Sequence, residues 1–439
     1  MIPRLRSEHD GDIARLAIPA LGTLVAEPLY VLADTAIVGR LGTPQLAGLA
    51  LATTVLLSIH GLLIFLAYGT TATVSRLLGV GDTNEAARVS IQNLWLALAL
   101  GLGSTVLVLA AARPLLVALG GSGPALDNGL LYLRISAFGL PALLVALAGA
   151  GIFHGRQNTR TPLAIAVSGA VGNLVLESVL VFGLGYGVGA SALSTVVAQM
   201  AVAAAFVIRA VGWGRTIGVS MRPSGSQLVV LLAAGRPLML RTLALRGAFT
   251  LATAVAARMG TVEVAAHQVG LQIWSTLALA LDAVAIAGQA LTGRWLGAGD
   301  VARARAAARR MVELDVAVGV GAAVAILALR QPIAHIFSRD PEVVAAVTTV
   351  LIWVAVFEPI NGYVFALDGI LIGAGDLRYL GRSMAVVATA FAAMAIAVSR
   401  WGPTLTWLWL ALGAFMALRA GALWVRWRGG AWAVTGRVV

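Results

Sequence analysis

The chain contains no cysteine, which excludes a disulfide framework, a thiolate nucleophile and any cysteine-ligated metal. It contains no lysine either, so all 31 basic residues are arginine. Without lysine there is no Walker A motif to cradle a nucleotide phosphate, and no amine to form a Schiff base with pyridoxal phosphate or retinal. Charge of either sign is scarce: 11% of the 439 residues are Asp, Glu, Lys or Arg, against roughly 25% in a soluble globular domain. HExxH, GxSxG and spaced metal-ligand clusters are also absent, so the sequence points away from an enzyme. In their place stand 59% hydrophobic residues and a mean hydropathy of +0.91. Such a chain is expected to be a multi-pass membrane protein. Its first residues, Met1 to Asp12, are polar and mixed in charge, without the apolar stretch and small-residue cleavage site of a secretory signal.

A membrane-spanning helix needs about 20 apolar residues. Stretches of that kind recur at 13–39, 46–76, 89–112, 126–152, 161–183, 189–211, 227–257, 264–294, 311–330, 343–372, 381–399 and 403–425. The expected fold class is therefore an all-α polytopic membrane protein of twelve transmembrane helices. With both termini in the cytoplasm, most arginines fall on inner segments, among them Arg303, Arg305, Arg309, Arg310, Arg426 and Arg428. The outer side holds Arg40, Arg113, Arg134, Arg258, Arg330, Arg339 and Arg400. This bias is the positive-inside rule, and it accounts for the +12 net charge through topology and anionic lipid. No basic patch interleaved with aromatics appears, which argues against a nucleic-acid partner.

The chain also repeats itself. The single shift that carries Pro19 onto Pro237 lays Arg40–Gly48 on Arg258–Ala266, Arg76–Asp82 on Arg294–Asp300, Pro141 on Pro359, and Gly155 and Arg160 on Gly373 and Arg378. Two homologous lobes of six helices follow, an N-lobe of 1–211 and a C-lobe of 227–439, joined by a cytoplasmic linker over 212–226 that holds Trp213-Gly214-Arg215 and Arg222-Pro223. Six is even, so both lobes enter the membrane in the same direction and are expected to be related by a pseudo-twofold axis along its normal. That arrangement predicts alternating access.

Charges within such helices cost at least about 2.5–3.5 kcal/mol each and need a reason. Asp34 lies near the outer end of helix 1, with Glu27 on the same face seven residues earlier and Pro28 between them to kink the helix. Asn173 and Glu177 share a face of helix 5 at i, i+4. Glu177 and Thr195 flank the tight turn between helices 5 and 6, which sets Asp34, Glu177 and Thr195 at one depth, on the order of 9 Å below the outer rim. With Asn173 they are placed to hold one proton or one Na⁺. Under the repeat shift these four fall on Ala252, Phe391, Ala395 and Gly413: the scaffold is duplicated and the polar cluster is not. In the second half, Arg241, Arg246, Asp282, Glu358 and Asp368 are the out-of-place charges. They are readable either as substrate contacts or as ion pairs that permit burial. His60 and His267 read as packed residues. The pattern GxGD, at Gly79, Gly297 and Gly373, also marks intramembrane aspartyl proteases. Here it sits at inner helix ends, where glycine stops a helix.

The runs AEPLYVLADTAIVGRLGTPQLAG (Ala26–Gly48), RMGTVEVAAHQ (Arg258–Gln268), DAVAIAGQALTGRWLGAGD (Asp282–Asp300) and PINGYVFALDGILIGAGDLRYL (Pro359–Leu380) resemble the multidrug and toxic compound extrusion (MATE) family, in particular its DinF-like branch. The resemblance covers the whole chain. It implies secondary antiport of amphiphilic, often cationic organic compounds against H⁺ or Na⁺, with no other cofactor. It also implies a monomer in the cell membrane whose partners are small molecules and membrane lipid. By the same resemblance the cation site is built from Asp34, Asn173, Glu177 and Thr195, where the family usually has Asp in place of Glu177. Asp368 matches a helix 10 aspartate, and Glu27, Arg241 and Asp282 are further candidates for substrate contact or coupling. Proton is the favoured ion, since Na⁺ needs about five or six hard oxygen ligands and only four residues can be named. The alternative transport function is a flippase for a lipid-linked or amphipathic precursor.

Overall fold

A computed structural model describes residues 7–437 of the chain. The described residues form α1 (Asp10–Gly39), α2 (Thr43–Leu63), α3 (Phe65–Val80), α4 (Thr83–Ala118), α5 (Gly123–Ala137), α6 (Leu140–Gly155), α7 (Arg160–Ser178), α8 (Val188–Ile217), α9 (Gly225–Met259), α10 (Thr261–Gly297), α11 (Val301–Phe337), α12 (Pro341–Gly373), α13 (Leu377–Trp401) and α14 (Leu405–Arg428). Eleven spans among the described residues are long and apolar enough to cross a membrane, and α5 with α6 makes a twelfth, bent by 52°. That bend follows from Gly139 and from Pro141 in the first turn of α6, where proline is tolerated but the preceding helix cannot continue. The second span breaks at Ile64 between α2 and α3, and no Pro marks that place. Leu102, Val106 and Leu107 on α4 and Val318, Val320 and Val324 on α11 are exposed. Apolar faces of this kind are a liability in water and indifferent in lipid. The protein is an all-α polytopic membrane fold.

Compact packing divides the chain into a unit of Gly22–Gly235 and a unit of Met1–Leu21 with Arg236–Val439. The start of α1 thus packs with the second half. Arg310 explains why: its Nε and Nη2 donate to the two oxygens of Asp10 at 2.6 and 3.0 Å, and the His9 ring lies 5.5 Å from that of Trp295. The connection expected over 212–226 is shorter. Trp213, Gly214 and Arg215 form the last turn of α8, which stops on Gly218 in the left-handed conformation (φ 84), as a helix-ending glycine does. The remaining 218–224 is clamped to α4: Gln92 donates to the Arg222 carbonyl and accepts from the Ser224 amide, both at 2.9 Å.

The repeat is visible as helix packing inside each unit. In the first, a Cβ on Gly151 of α6 would stand 2.5 Å from the Ala67 carbonyl oxygen, and one on Gly101 of α4 would stand 2.4 Å from Pro141. In the second, a Cβ on Gly369 of α12 would stand 2.4 Å from the Ala285 carbonyl oxygen, and one on Gly319 of α11 would stand 2.4 Å from the Glu358 carbonyl oxygen. Gly369 and Gly319 are the shift partners of Gly151 and Gly101. Small residues let backbones touch where lipid gives no hydrophobic drive to association. The GxGD turns are helix punctuation. Gly81 (φ 85) and Gly299 (φ 81) are left-handed, and Asp82 and Asp300 cap α4 and α11 by accepting from the Glu85 and Arg303 amides at 2.9 Å. Asp376 pairs instead with Arg426 of α14.

Candidate ion-coupling site

Asp34 sits in the last third of α1, 5% exposed. Its Oδ1 accepts from Ser191 Oγ on α8 at 2.5 Å, and its Oδ2 accepts from Tyr132 OH on α5 at 3.3 Å. One turn earlier on the same face, Tyr30 OH lies 2.6 Å from Thr195 Oγ1. On α7, Asn173 Nδ2 donates to Glu177 Oε2 at 3.4 Å, as the i, i+4 spacing requires. The Glu177 carboxyl faces Asp34 and Ser191 within hydrogen-bonding reach. Glu177 Oε1 and Asn173 Oδ1 are buried without a protein partner. Immediately after Glu177 the helix widens into a π-turn, Val179–Gly183, a local distortion found often at functional sites.

The structure brings Asp34, Asn173, Glu177 and Thr195 into one buried cluster of side chains among α1, α5, α7 and α8. Tyr30, Tyr132 and Ser191 complete it, and sequence reasoning missed all three. Their one signal was the repeat: the shift carries Tyr132 to Val350 and Ser191 to Trp409. In the second unit the corresponding positions are filled. Phe391 and Trp409 are buried there, and a Cβ at Gly413 would collide with the Phe357 ring at 1.9 Å.

Other candidates lie elsewhere. Glu27 is half-exposed and its Oε1 lies 3.2 Å from His60 Nδ1 on α2. Asp368 is held between two guanidinium groups. Its Oδ2 accepts from Arg241 Nη2 of α9 at 2.6 Å and from Arg419 Nη2 of α14 at 2.5 Å. Arg419, near the inner end of α14, is buried. Arg246 is exposed on α9. Asp282 lies on α10 near Asp315.

Two neighbouring carboxyls, Asp34 and Glu177, are thus buried inside a bundle of membrane-spanning helices. The family model described as MatE matches residues 19–179 and again 237–399, and the two matches begin on the repeat partners Pro19 and Pro237. The chain belongs to the MATE family, multidrug and toxic compound extrusion transporters. It is a transporter and not an enzyme, and a DinF-like placement fits its relatives. It is 32% identical to protein DETOXIFICATION 44, chloroplastic, of Arabidopsis thaliana, over 96% of this chain and 83% of that protein. It is 31% identical to DNA damage-inducible protein F of Escherichia coli, over 97% and 94%. A MOP-superfamily transporter from Pyrococcus furiosus superposes with a TM-score of 0.88 over 98% of both chains at 23% identity, a likeness of fold.

Proposed function

We propose that this chain is a secondary antiporter that exports amphiphilic, often cationic organic compounds against an inward flow of protons, and that Asp34 with Glu177 carries the coupling proton. The observation that carries this reading is the pairing of two buried carboxyls whose hydrogen bonds come from the hydroxyls of Ser191 and Tyr132 and the amide of Asn173. Two such groups side by side cannot both stay ionised without a cation between them. They share a proton or bind an ion, and either makes them responsive to a gradient. Asp368 is the contrast, since two arginines already neutralise it.

The hydrogen bonds supply a route from proton to movement. Ionised Asp34 accepts from both Ser191 and Tyr132, which ties α1 to α8 and α5. A protonated carboxyl gives up one acceptor and gains one donor, so those ties must be rearranged. The outer part of α1 then repacks against its neighbours, and substrate is released outward. Loss of the proton to the cytoplasm restores the first arrangement, by alternating access. Na⁺ in the same pocket would use Asp34, Asn173, Glu177 and Thr195 as oxygen ligands. The proton is favoured because carboxyl, hydroxyl and phenol groups exchange it without the five or six ligands Na⁺ demands. The protein is taken to act as a monomer in the cell membrane, with both termini in the cytoplasm.

The test uses purified protein in liposomes holding a pH gradient, wild type beside Asp34→Asn, with ethidium added. Wild type should collapse the gradient on addition of ethidium, and the variant should not. Response to a Na⁺ gradient alone would reassign the ion. Equal gradient collapse by wild type and Asp34→Asn would remove Asp34 from coupling. Silence toward both gradients with every organic cation tried would overturn antiport and call for a lipid-flipping assay.

A further inference from the structure

The unit that lacks the Asp34 pocket has a polar cluster of its own. Asp315 of α11, Glu358 and Asn361 of α12 are all at most 1% exposed. They meet where the two helices touch backbone to backbone: a Cβ on Gly319 would stand 2.4 Å from the Glu358 carbonyl oxygen, and one on Gly362 would stand 2.3 Å from that of Asp315. Asp282 from α10 and Glu358 from α12, both acidic, bring their charges to bear on Asp315.

The hydrogen-bonding count is lopsided. Asn361 Nδ2 donates to Glu358 Oε1 at 3.1 Å. Against that one protein donor stand both oxygens of Asp315, Oε2 of Glu358 and Oδ1 of Asn361, all buried without a protein partner. Buried acceptors left without donors cost about 1–3 kcal/mol each, more when charged. A proton bound to a carboxyl removes a charge and turns an acceptor into a donor. Asn361 Oδ1 is the neutral acceptor that such a carboxyl O–H would use. A metal cation answers the geometry less well, because among the described residues no three His, Asp or Glu side chains converge as metal ligands do.

The repeat sharpens the point. The shift partners of Asp282, Asp315, Glu358 and Asn361 are Ile64, Ala97, Leu140 and Leu143. The same helix crossing is thus built in the first unit from apolar side chains, with Gly101 against Pro141 as Gly319 lies against the Glu358–Pro359 backbone. Helix packing does not need these acids.

We propose that Asp315 and Glu358, with Asn361 as hydrogen-bond acceptor, form a second exchangeable-proton site in the second unit, separate from Asp34. The exchange is a simple protonation: a carboxylate takes up H⁺ at one stage of the cycle and returns it at another. Each transported molecule would then be accompanied by protons at two sites.

Infrared difference spectra of the purified full chain, titrated over pH in H₂O and D₂O, read buried carboxyls directly through their C=O stretch and its isotope shift. Asp34→Asn combined with Glu177→Gln should leave the pH-dependent carboxyl absorption of the second unit, and Asp315→Asn should remove that absorption while sparing the one assigned to Asp34 and Glu177. Glu358→Gln should shift or remove the same band, and it guards against misfolding of the first variant. In liposomes the proton-to-substrate ratio, taken from the reversal of net transport at opposed gradients, should fall from two to one in Asp315→Asn. An unchanged set of bands in both variants overturns the site, and so does a band that follows Na⁺ concentration instead of pH. The spectra need no transport, so the site can fail while the Asp34 antiport reading survives, and the reverse.

Discussion

Asp34 and Asp368 are both aspartates deep in apolar helices, and their neighbours give them different work. Asp34 receives hydroxyl donors only, from Ser191 and Tyr132. Asp368 receives two guanidinium groups, so its charge is fixed by structure. Breaking a buried ion pair leaves an uncompensated charge, at about 3–5 kcal/mol. Asp368→Ala removes the carboxylate that the buried Arg419 pairs with, and a large fall in the unfolding midpoint in detergent is expected, whereas Asp34→Asn should leave the midpoint nearly unchanged while abolishing gradient collapse. A midpoint insensitive to Asp368→Ala would show that Arg241 and Arg419 find other partners. Ser191→Ala removes a 2.5 Å donor to Asp34. Hydrogen bonds to charged groups contribute about 1.5–3 kcal/mol, so initial export rates should drop on the order of tenfold or more. An undiminished rate would place the tie between α1 and α8 outside the cycle.

Helices in this chain are positioned by small residues and stopped by capped turns. Gly151 and Gly369 do the same task in the two units, each against a backbone carbonyl of a neighbouring helix. A larger side chain there must push two helices apart, and overpacking costs about 1–3 kcal/mol or more. Gly151→Val and Gly369→Val are expected to lower the unfolding midpoint comparably. Gly103→Val on α4, where a Cβ meets nothing within 4 Å, should not. If all three variants melt alike, close backbone contact is not what holds these pairs. Asp300 caps α11 through the Arg303 amide, and losing a cap of this kind costs about 1 kcal/mol. Asp300→Ala should therefore weaken folding modestly and leave transport intact. A protease reading of GxGD would instead require that variant to abolish activity.

The whole molecule has an orientation that its arginines encode and that labelling can measure. Because the native chain has no cysteine, a single introduced thiol reports one place. Ser220→Cys, in the 218–224 connection, should react with a membrane-impermeant maleimide only after cells are opened. Tyr186→Cys, in the exposed turn after the π-helix, should react in intact cells. The reverse pattern would invert the topology and move Asp34 to the cytoplasmic end. The same placement decides which gradient the Asp34 pocket meets first.

Length, hydropathy and the paucity of charge were enough to determine a polytopic all-α protein, because a bilayer admits little else built from apolar stretches of 20 residues. The repeat was also legible in the chain, since duplicated scaffolds keep Gly and Pro wherever backbones touch or bend. So were Asp34, Asn173, Glu177 and Thr195, because a charge or amide in lipid stands out and the repeat showed which ones packing does not require. Tyr30, Tyr132 and Ser191 were not legible. Such residues are ordinary in membrane helices, and only three-dimensional proximity shows that their hydroxyl groups meet Asp34 and Thr195. Arg419 was hidden for a related reason: near a helix end it looks like any topology-setting arginine, until α9, α12 and α14 bring it to Asp368. Asp315 lies five residues after Arg310, near the inner end of the expected span 311–330, where a charge does not stand out in the sequence. Sequence fixes which groups are costly to bury. Tertiary structure decides whether each finds a counter-charge, a hydrogen bond or an exchangeable proton, because those partners come from helices far apart in the chain.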